Sequence, residues 1–271
     1  MSVKFDGATH TYFSPGVKYT SVTTLIGRFK QKFDSQFWSK YKALEEIVPD
    51  FTKQFRNFAS REEAVEYYGT VVDQKLLQET IKKILSSWRT TNIEATTKGN
   101  NYHSYKEEIS KNRGYELNPF TGKKMKTYHY KRKADYNESL IYDLYKLEDG
   151  FYPELLIWND HYKVAGQADK VFISTIGDQR FVDIDDYKTN KKIEIESYFD
   201  RAGGYRMMKP PVAHLMDCNF QHYELQISCY AFLLEQFGFQ VNNLAFHHFE
   251  EEYPLLYRKE EVISMLQSLV Q

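Results

Sequence analysis

From Pro153 onward the apolar residues of this chain recur at every second position, and this change of period constrains the fold more than any other feature. Glu154-Leu155-Leu156-Ile157-Trp158 reads as a strand, Asn159-Asp160-His161 as a turn, and Tyr162 to Val164 as the partner strand. Gln167 to Ile173 and Arg180 to Tyr187 read as two more strands, joined at Gly177-Asp178. A helix over about Phe220 to Phe237, a strand at Leu244 to Phe249 and a helix at Glu260 to Val270 follow.

Before Pro153 the pattern is mostly helical. Residues 3–20 read as a hairpin with turns at Asp6-Gly7 and Ser14-Pro15-Gly16, and Ser21 opens a helix. Asp34 or Ser35 caps a helix that runs to about Ile47. Ser60-Arg61-Glu62-Glu63 is a capping box ahead of a helical run to Trp88, and Thr97 to Ser110 reads as another helix. These elements divide the chain into an N-terminal hairpin and helical region, 1–94, and a core, 95–271. The expected architecture is α/β (α+β), a central mixed sheet flanked by helices. Residues 112–135, punctuated by Gly114, Asn118-Pro119 and Gly122, read as an insertion into the core.

Composition excludes several classes. No apolar run approaches the roughly 20 residues of a membrane span, and the first residues lack the apolar segment of a signal peptide. Cys218 and Cys229 are too few for a four-cysteine zinc or iron–sulfur site, and a reducing, cytoplasmic setting is expected. The net charge of −1 hides an asymmetry: residues 1–150 hold 25 Lys+Arg against 19 Asp+Glu, and 151–271 hold 11 against 18. A basic half beside an acidic half points to a polyanion on one part and a cation on the other. Part of the basic excess is the run Lys123, Lys124, Lys126, Lys131, Arg132 and Lys133, interleaved with Tyr128, His129 and Tyr130. Such a segment is either a solvated loop or an arm that follows phosphates and stacks on unpaired bases.

The chemistry centres on Asp169 and Asp186. Each sits in its own expected strand, and the short turn between the strands can bring the two together. Facing carboxylates repel, and a hard divalent cation with a preference for oxygen relieves that repulsion. Lys188, two residues after Asp186, leaves the same face of its strand. By the same alternation Asp183 and Asp185 face the opposite way. Glu154 enters an apolar run, where an unpaired buried acid is costly. Asp73-Gln74-Lys75 repeats the acid-x-Lys spacing but falls in a helical run, where positions i and i+2 share no face.

Taken in order, Gly99-x-x-x-His103, Glu154, Gly166-x-x-Asp169, Asp186-Tyr187-Lys188 and Gln226-x-x-x-Tyr230 resemble the conserved elements of the RecB-like branch of the PD-(D/E)xK nucleases. Ser21-Val22-Thr23-Thr24 resembles phage-type members. The resemblance spans about residues 95–250, less the basic insertion, and the cysteines of the iron–sulfur members are missing. It implies a restriction-endonuclease-like core and a Mg2+- or Mn2+-dependent exonuclease acting on DNA in recombination, repair or viral DNA processing. By position it implies that Asp169, Asp186 and the Tyr187 carbonyl hold metal, with His103 and Glu154 as further ligands or water-positioners. Asp169, Asp186, Glu154 and Lys188 would be the catalytic set, and Gln226 and Tyr230, on one helix face, would meet the DNA. Two other readings of the same residues are a non-catalytic nucleic-acid-binding module and a metal-dependent ribonuclease.

Overall fold

The computed structural model of the chain describes residues 3–7, 9–128, 143–200 and 204–269. The first elements are β1 (Lys4–Asp6), β2 (Thr11–Ser14), β3 (Val17–Ser21), α1 (Val22–Phe29), α2 (Ser35–Ile47), α3 (Arg61–Val71) and α4 (Gln74–Arg113). Next come β4 (Tyr115–Leu117), β5 (Lys124–Lys126), β6 (Gly150–Asn159), β7 (Val164–Ile176), β8 (Gln179–Lys188), β9 (Phe199–Asp200) and β10 (Gly204–Tyr205). The chain closes with α5 (Asn219–Glu235), β11 (Phe239–His248), β12 (Glu251–Pro254) and α6 (Lys259–Gln267). The fold is mixed α/β, built on an eight-stranded sheet with both parallel and antiparallel pairs and helices packed against it. No helix among the described residues is long and apolar enough to cross a membrane.

The strand β7 organises the sheet. Along one edge it takes β6, antiparallel. Its other edge is divided: Val164 and Ala165 pair with β3 in parallel, while Lys170 to Ile176 pair with β8, antiparallel. Residues 166–169 therefore lie at a fork, where β3 and β8 part. The Gly177-Asp178 turn sets the β7–β8 register, and Gly177 takes the left-handed φ of 60° that the turn needs. The strand β8 pairs in parallel with β11, so Lys188 lies beside His248.

Alternation along these strands buries Val171, Ile173, Val182, Ile184, Leu244 and Phe246 in the main core, together with Leu225, Ile227, Ala231 and Leu234 of α5 and Val22, Leu25 and Ile26 of α1. On β6 and β7 the pattern shifts by one residue: Tyr152 and Leu155 both face this core, as do Val171 and Ala168. Glu154 lies at that shift. Its neighbours Pro153 and Leu155 pair with Lys170 and Ala168, so it sits across from Asp169. Its φ of 51° is a left-handed conformation that costs a non-glycine residue about 1–3 kcal/mol.

The helices differ from the sequence expectation in one respect. The run from Ser60 stops at Val71, and α4 then continues unbroken for 40 residues. Asp73 explains the break: its Oδ1 accepts the Leu76 N–H at 2.7 Å, an N-cap rather than a mid-helix position. No proline or cap interrupts the chain between Trp88 and Thr97, so the two expected helices are one. The expected boundary at residue 94 accordingly falls inside α4. The compact units are residues 32–98, and residues 1–31 together with 99–271, because β3 joins the N-terminal hairpin to β7. The 32–98 unit has its own core of Tyr41, Leu44, Phe51, Val65 and Leu77. Asp34 caps α2 and Ser60 caps α3, as the sequence indicated. Two smaller adjustments apply: Tyr162 to Ile173 falls in one turn and one strand, β7, rather than two strands, and β12 extends the sheet beyond the expected strands.

Candidate metal centre

Register builds the site before any side chain is placed. Lys170 pairs with Asp185 across β7 and β8, which puts Asp169 and Asp186 one step further on, on either side of the fork. The Tyr187 N–H, beyond the end of the β7–β8 pairing, donates to Asp169 Oδ2 at 3.1 Å. Asp186 Oδ2 accepts from Lys188 Nζ at 2.6 Å, with both side chains almost fully buried. Asp186 Oδ1 is buried, and among the described residues no donor reaches it.

Burial and the facing Asp169 charge push Asp186 far above the usual carboxylate range. Burial also acts against Asp169, but hydrogen bonds from Asp186 and His103, and the charges of His103 and Lys188, hold it below its ordinary value. His103 Nδ1 lies 3.1 Å from Asp169 Oδ2. Burial lowers the imidazole pKa, yet the hydrogen bond and charge of Asp169 prevail and raise it to about 9. Ligand atoms of His103, Glu154 and Asp169 all lie within 4.8 Å of one another.

On the α5 side, Lys188 Nζ also reaches Gln226 Oε1 at 3.3 Å, and Gln226 Nε2 donates to Tyr230 Oη at 3.1 Å. The Tyr223 ring lies 4.6 Å from the same ammonium. Burial opposes the Lys188 charge, and the Asp186 and Asp169 carboxyls more than restore it. His103, Asp169, Asp186, Lys188, Gln226 and Tyr230 therefore form one connected polar chain, with Glu154 and the Tyr187 backbone beside it.

The two glycines of the pattern have steric reasons. A Cβ on Gly166 would stand 2.6 Å from Tyr230 Cε1 and 3.2 Å from Val22 Cγ2. A Cβ on Gly99 would meet Thr189 Oγ1 at 3.2 Å. Gly166 lets α5 seat Tyr230 against β7, and Gly99 lets α4 pass close to the end of β8. Because Tyr230 is buried and held by Gln226, it has little room to yield. Gly166→Ala is expected to cost about 1–3 kcal/mol, as other overpacked cores do, read as a lowered melting temperature in a calorimetric scan.

The basic segment is only partly described. Lys131, Arg132 and Lys133, with His129 and Tyr130, lie outside the described residues. Lys123, Lys124 and Lys126 are exposed on or beside the β4–β5 hairpin. Lys124 and Lys126 lie over the Tyr115 and Tyr128 rings at 3.7 and 4.4 Å. Tyr128 stacks on Tyr152 at 5.0 Å and donates to Glu148, so one ring face and its hydroxyl are engaged within the protein. That packing departs from the expected role of Tyr128 as an open stacking platform.

Several participants escape the sequence reading. Asp185 is fully buried between Lys170 Nζ at 2.6 Å and His247 Nδ1 at 2.8 Å. Asp183 accepts from Asn118, Asn242 and Asn243 at 2.7 to 2.9 Å. Both acids face away from Asp186, as strand alternation indicated; Asp185 is paired with charge and Asp183 is held by neutral amides. No protein-family model, curated protein or solved structure matches this chain.

Proposed function

We propose that this chain is a Mg2+- or Mn2+-dependent deoxyribonuclease, exonuclease-like, serving recombination, repair or viral DNA processing. The observation that carries the reading is the meeting of the Asp169 and Asp186 carboxyls at the strand fork, with Lys188 bonded to one of them. The donor set suits a hard cation: the His103 imidazole and the Glu154 and Asp169 carboxylates have ligand atoms within 4.8 Å of one another, and the resemblance adds Asp186 and the Tyr187 carbonyl. The buried Asp186 Oδ1, which no donor among the described residues reaches, is an acceptor such a cation would satisfy. When bound there, the cation supplies Lewis-acid polarisation of the phosphate and offsets its charge.

The remaining work falls to the chain. Lys188 is held by Asp186, by Gln226 and by the face of Tyr223, so its ammonium is oriented before a substrate arrives. An oriented cation in a dry site stabilises negative charge as it develops on phosphoryl oxygen. Gln226 carries that orientation to Tyr230, and Gly166 fixes the depth at which Tyr230 sits. The choice of DNA rests on the resemblance to RecB-like nucleases and on the exposed lysines of the β4–β5 hairpin. Both cysteines are buried and free, in keeping with a reducing, cytoplasmic setting.

The test is digestion of linear and circular, single- and double-stranded DNA in Mg2+, in Mn2+ and in chelator. The expected result is loss of linear DNA in either metal and none in chelator. Salt-sensitive binding without digestion in any metal would instead favour a non-catalytic nucleic-acid-binding module.

A further inference from the structure

The strands β11 and β12 are joined by a two-residue loop, Phe249-Glu250, because His248 pairs with Glu251. Loops this short need a left-handed backbone at their first residue, a place usually given to glycine or asparagine. Here a phenylalanine occupies it, at φ 58°. That conformation is unfavourable for so bulky a side chain. Burial does not account for the choice, since Phe249 remains 47% exposed.

The ring is nevertheless held in place. It meets Tyr102 of α4 edge to face, with centroids 6.4 Å apart, and tilts against His248 at 4.7 Å. Tyr102 meets Tyr187 edge to face at 5.6 Å, and the Tyr187 N–H is the one bonded to Asp169. On the other side, His248 Nε2 donates to the Asn190 carbonyl at 2.6 Å, and Tyr223, whose ring lies against Lys188, donates its hydroxyl to Asn190 Oδ1. The loop is thus tied to both halves of the candidate metal centre. Because Lys188 lies beside His248, Phe249 stands one residue further along the neighbouring strand. By strand geometry its backbone is about 6 Å from that of Lys188.

The surroundings indicate what the exposed ring receives. Lys106 Nζ lies 5.4 Å from the Tyr102 ring and 5.5 Å from the Tyr187 ring, so the aromatic cluster carries positive charge. An occupant that suits it joins a flat π-face to an anionic group, and a nucleotide does so with its base and its phosphate. A base within a duplex keeps its faces in the stack, so only an unpaired base can lie on Phe249. We propose that Phe249, propped by Tyr102, is a stacking platform for an unpaired base of the DNA strand whose phosphate lies at Lys188. The inference rests on the nuclease reading, and it names how the strand is held and in what form rather than how it is cut.

The test is binding of the full chain to a single-stranded oligonucleotide and to a blunt duplex, in chelator over a salt series, for the wild type, Phe249→Gly and Phe249→Trp. Phe249→Gly is expected to weaken single-strand binding about tenfold, the loss of one stacked base, and to leave duplex binding and the salt slope unchanged, because no charge is removed. Phe249→Trp should bind the single strand at least as tightly as the wild type. Without DNA, Phe249→Gly should melt close to the wild type, because glycine adopts the loop conformation freely. Unchanged single-strand affinity in Phe249→Gly, an equal loss on the duplex, or a melting temperature several degrees lower would overturn the platform. If the wild type digests DNA in Mg2+ while Phe249→Gly binds unchanged, the platform alone is wrong. If single-strand binding depends on the ring but neither Mg2+ nor Mn2+ gives digestion, the nuclease reading fails and the platform stands. If the wild type neither binds nor digests DNA, both fail.

Discussion

Asp186→Asn and Lys188→Ala are each expected to lower the rate of metal-dependent DNA digestion by about 10³-fold or more, a loss on the scale of removing one charge-stabilising group from a dry site. The amide of Asp186→Asn would keep the shape of the side chain but give up the charge that completes the oxygen cluster. It could also donate a hydrogen bond to Asp169, where in the native pair two carboxyls face each other. Asp186→Asn should therefore fold and melt at or above the wild-type temperature, which separates loss of chemistry from loss of structure. Lys188→Ala removes the ammonium that reaches both Asp186 and Gln226. The measurement is the initial rate of linear DNA digestion in Mg2+, alongside oligonucleotide binding in chelator, which both variants should largely retain. Digestion at the wild-type rate by either variant would end the assignment of the catalytic centre to this fork.

Much of this centre was legible because it is local. A two-residue turn at Gly177-Asp178 fixes the β7–β8 register, and strand alternation then separates Asp186 and Lys188 from Asp183 and Asp185. The same register could also have placed Lys170 opposite Asp185. What remained illegible comes from distant parts of the chain. His247 reaches Asp185 through the parallel pairing of β8 with β11, and Asn118, Asn242 and Asn243 converge on Asp183 from a hairpin and a strand start. Parallel pairing leaves no turn from which to count. The helix break at Val71 was missed for a different reason. Asp73 looks like one more acid on a polar helix surface until its carboxylate is seen capping Leu76. The divided edge of β7, on which the site depends, has no signature of its own, although Gly166 lies within it and marks the close approach of Tyr230.

Asp185→Asn is expected to destabilise the fold by about 3–5 kcal/mol, the usual cost of removing one partner from a buried ion pair. Asp185 is wholly buried, with Lys170 Nζ at 2.6 Å, His247 Nδ1 at 2.8 Å and the Asp186 N–H at 2.9 Å. Burial alone would lower the Lys170 pKa, yet the Asp185 charge holds it above its ordinary value. An amide at position 185 leaves that ammonium inside the sheet without a counter-charge. The consequence for Lys170 can be isolated by a second replacement. Lys170→Met combined with Asp185→Leu removes both charges, so the double variant should recover a large part of the loss, giving a coupling energy of the 0.5–3 kcal/mol order typical of residues in contact. Urea unfolding of the wild type, Asp185→Leu, Lys170→Met and the double variant measures the coupling directly, with Asp185→Asn beside them. A stability for Asp185→Asn within about 1 kcal/mol of wild type would mean that water reaches Lys170 and that the triad does not brace β7 against β8. Such a loss would also act on the neighbouring centre, since Asp185 accepts the Asp186 backbone N–H and so helps hold the strand that presents Asp186 to Asp169.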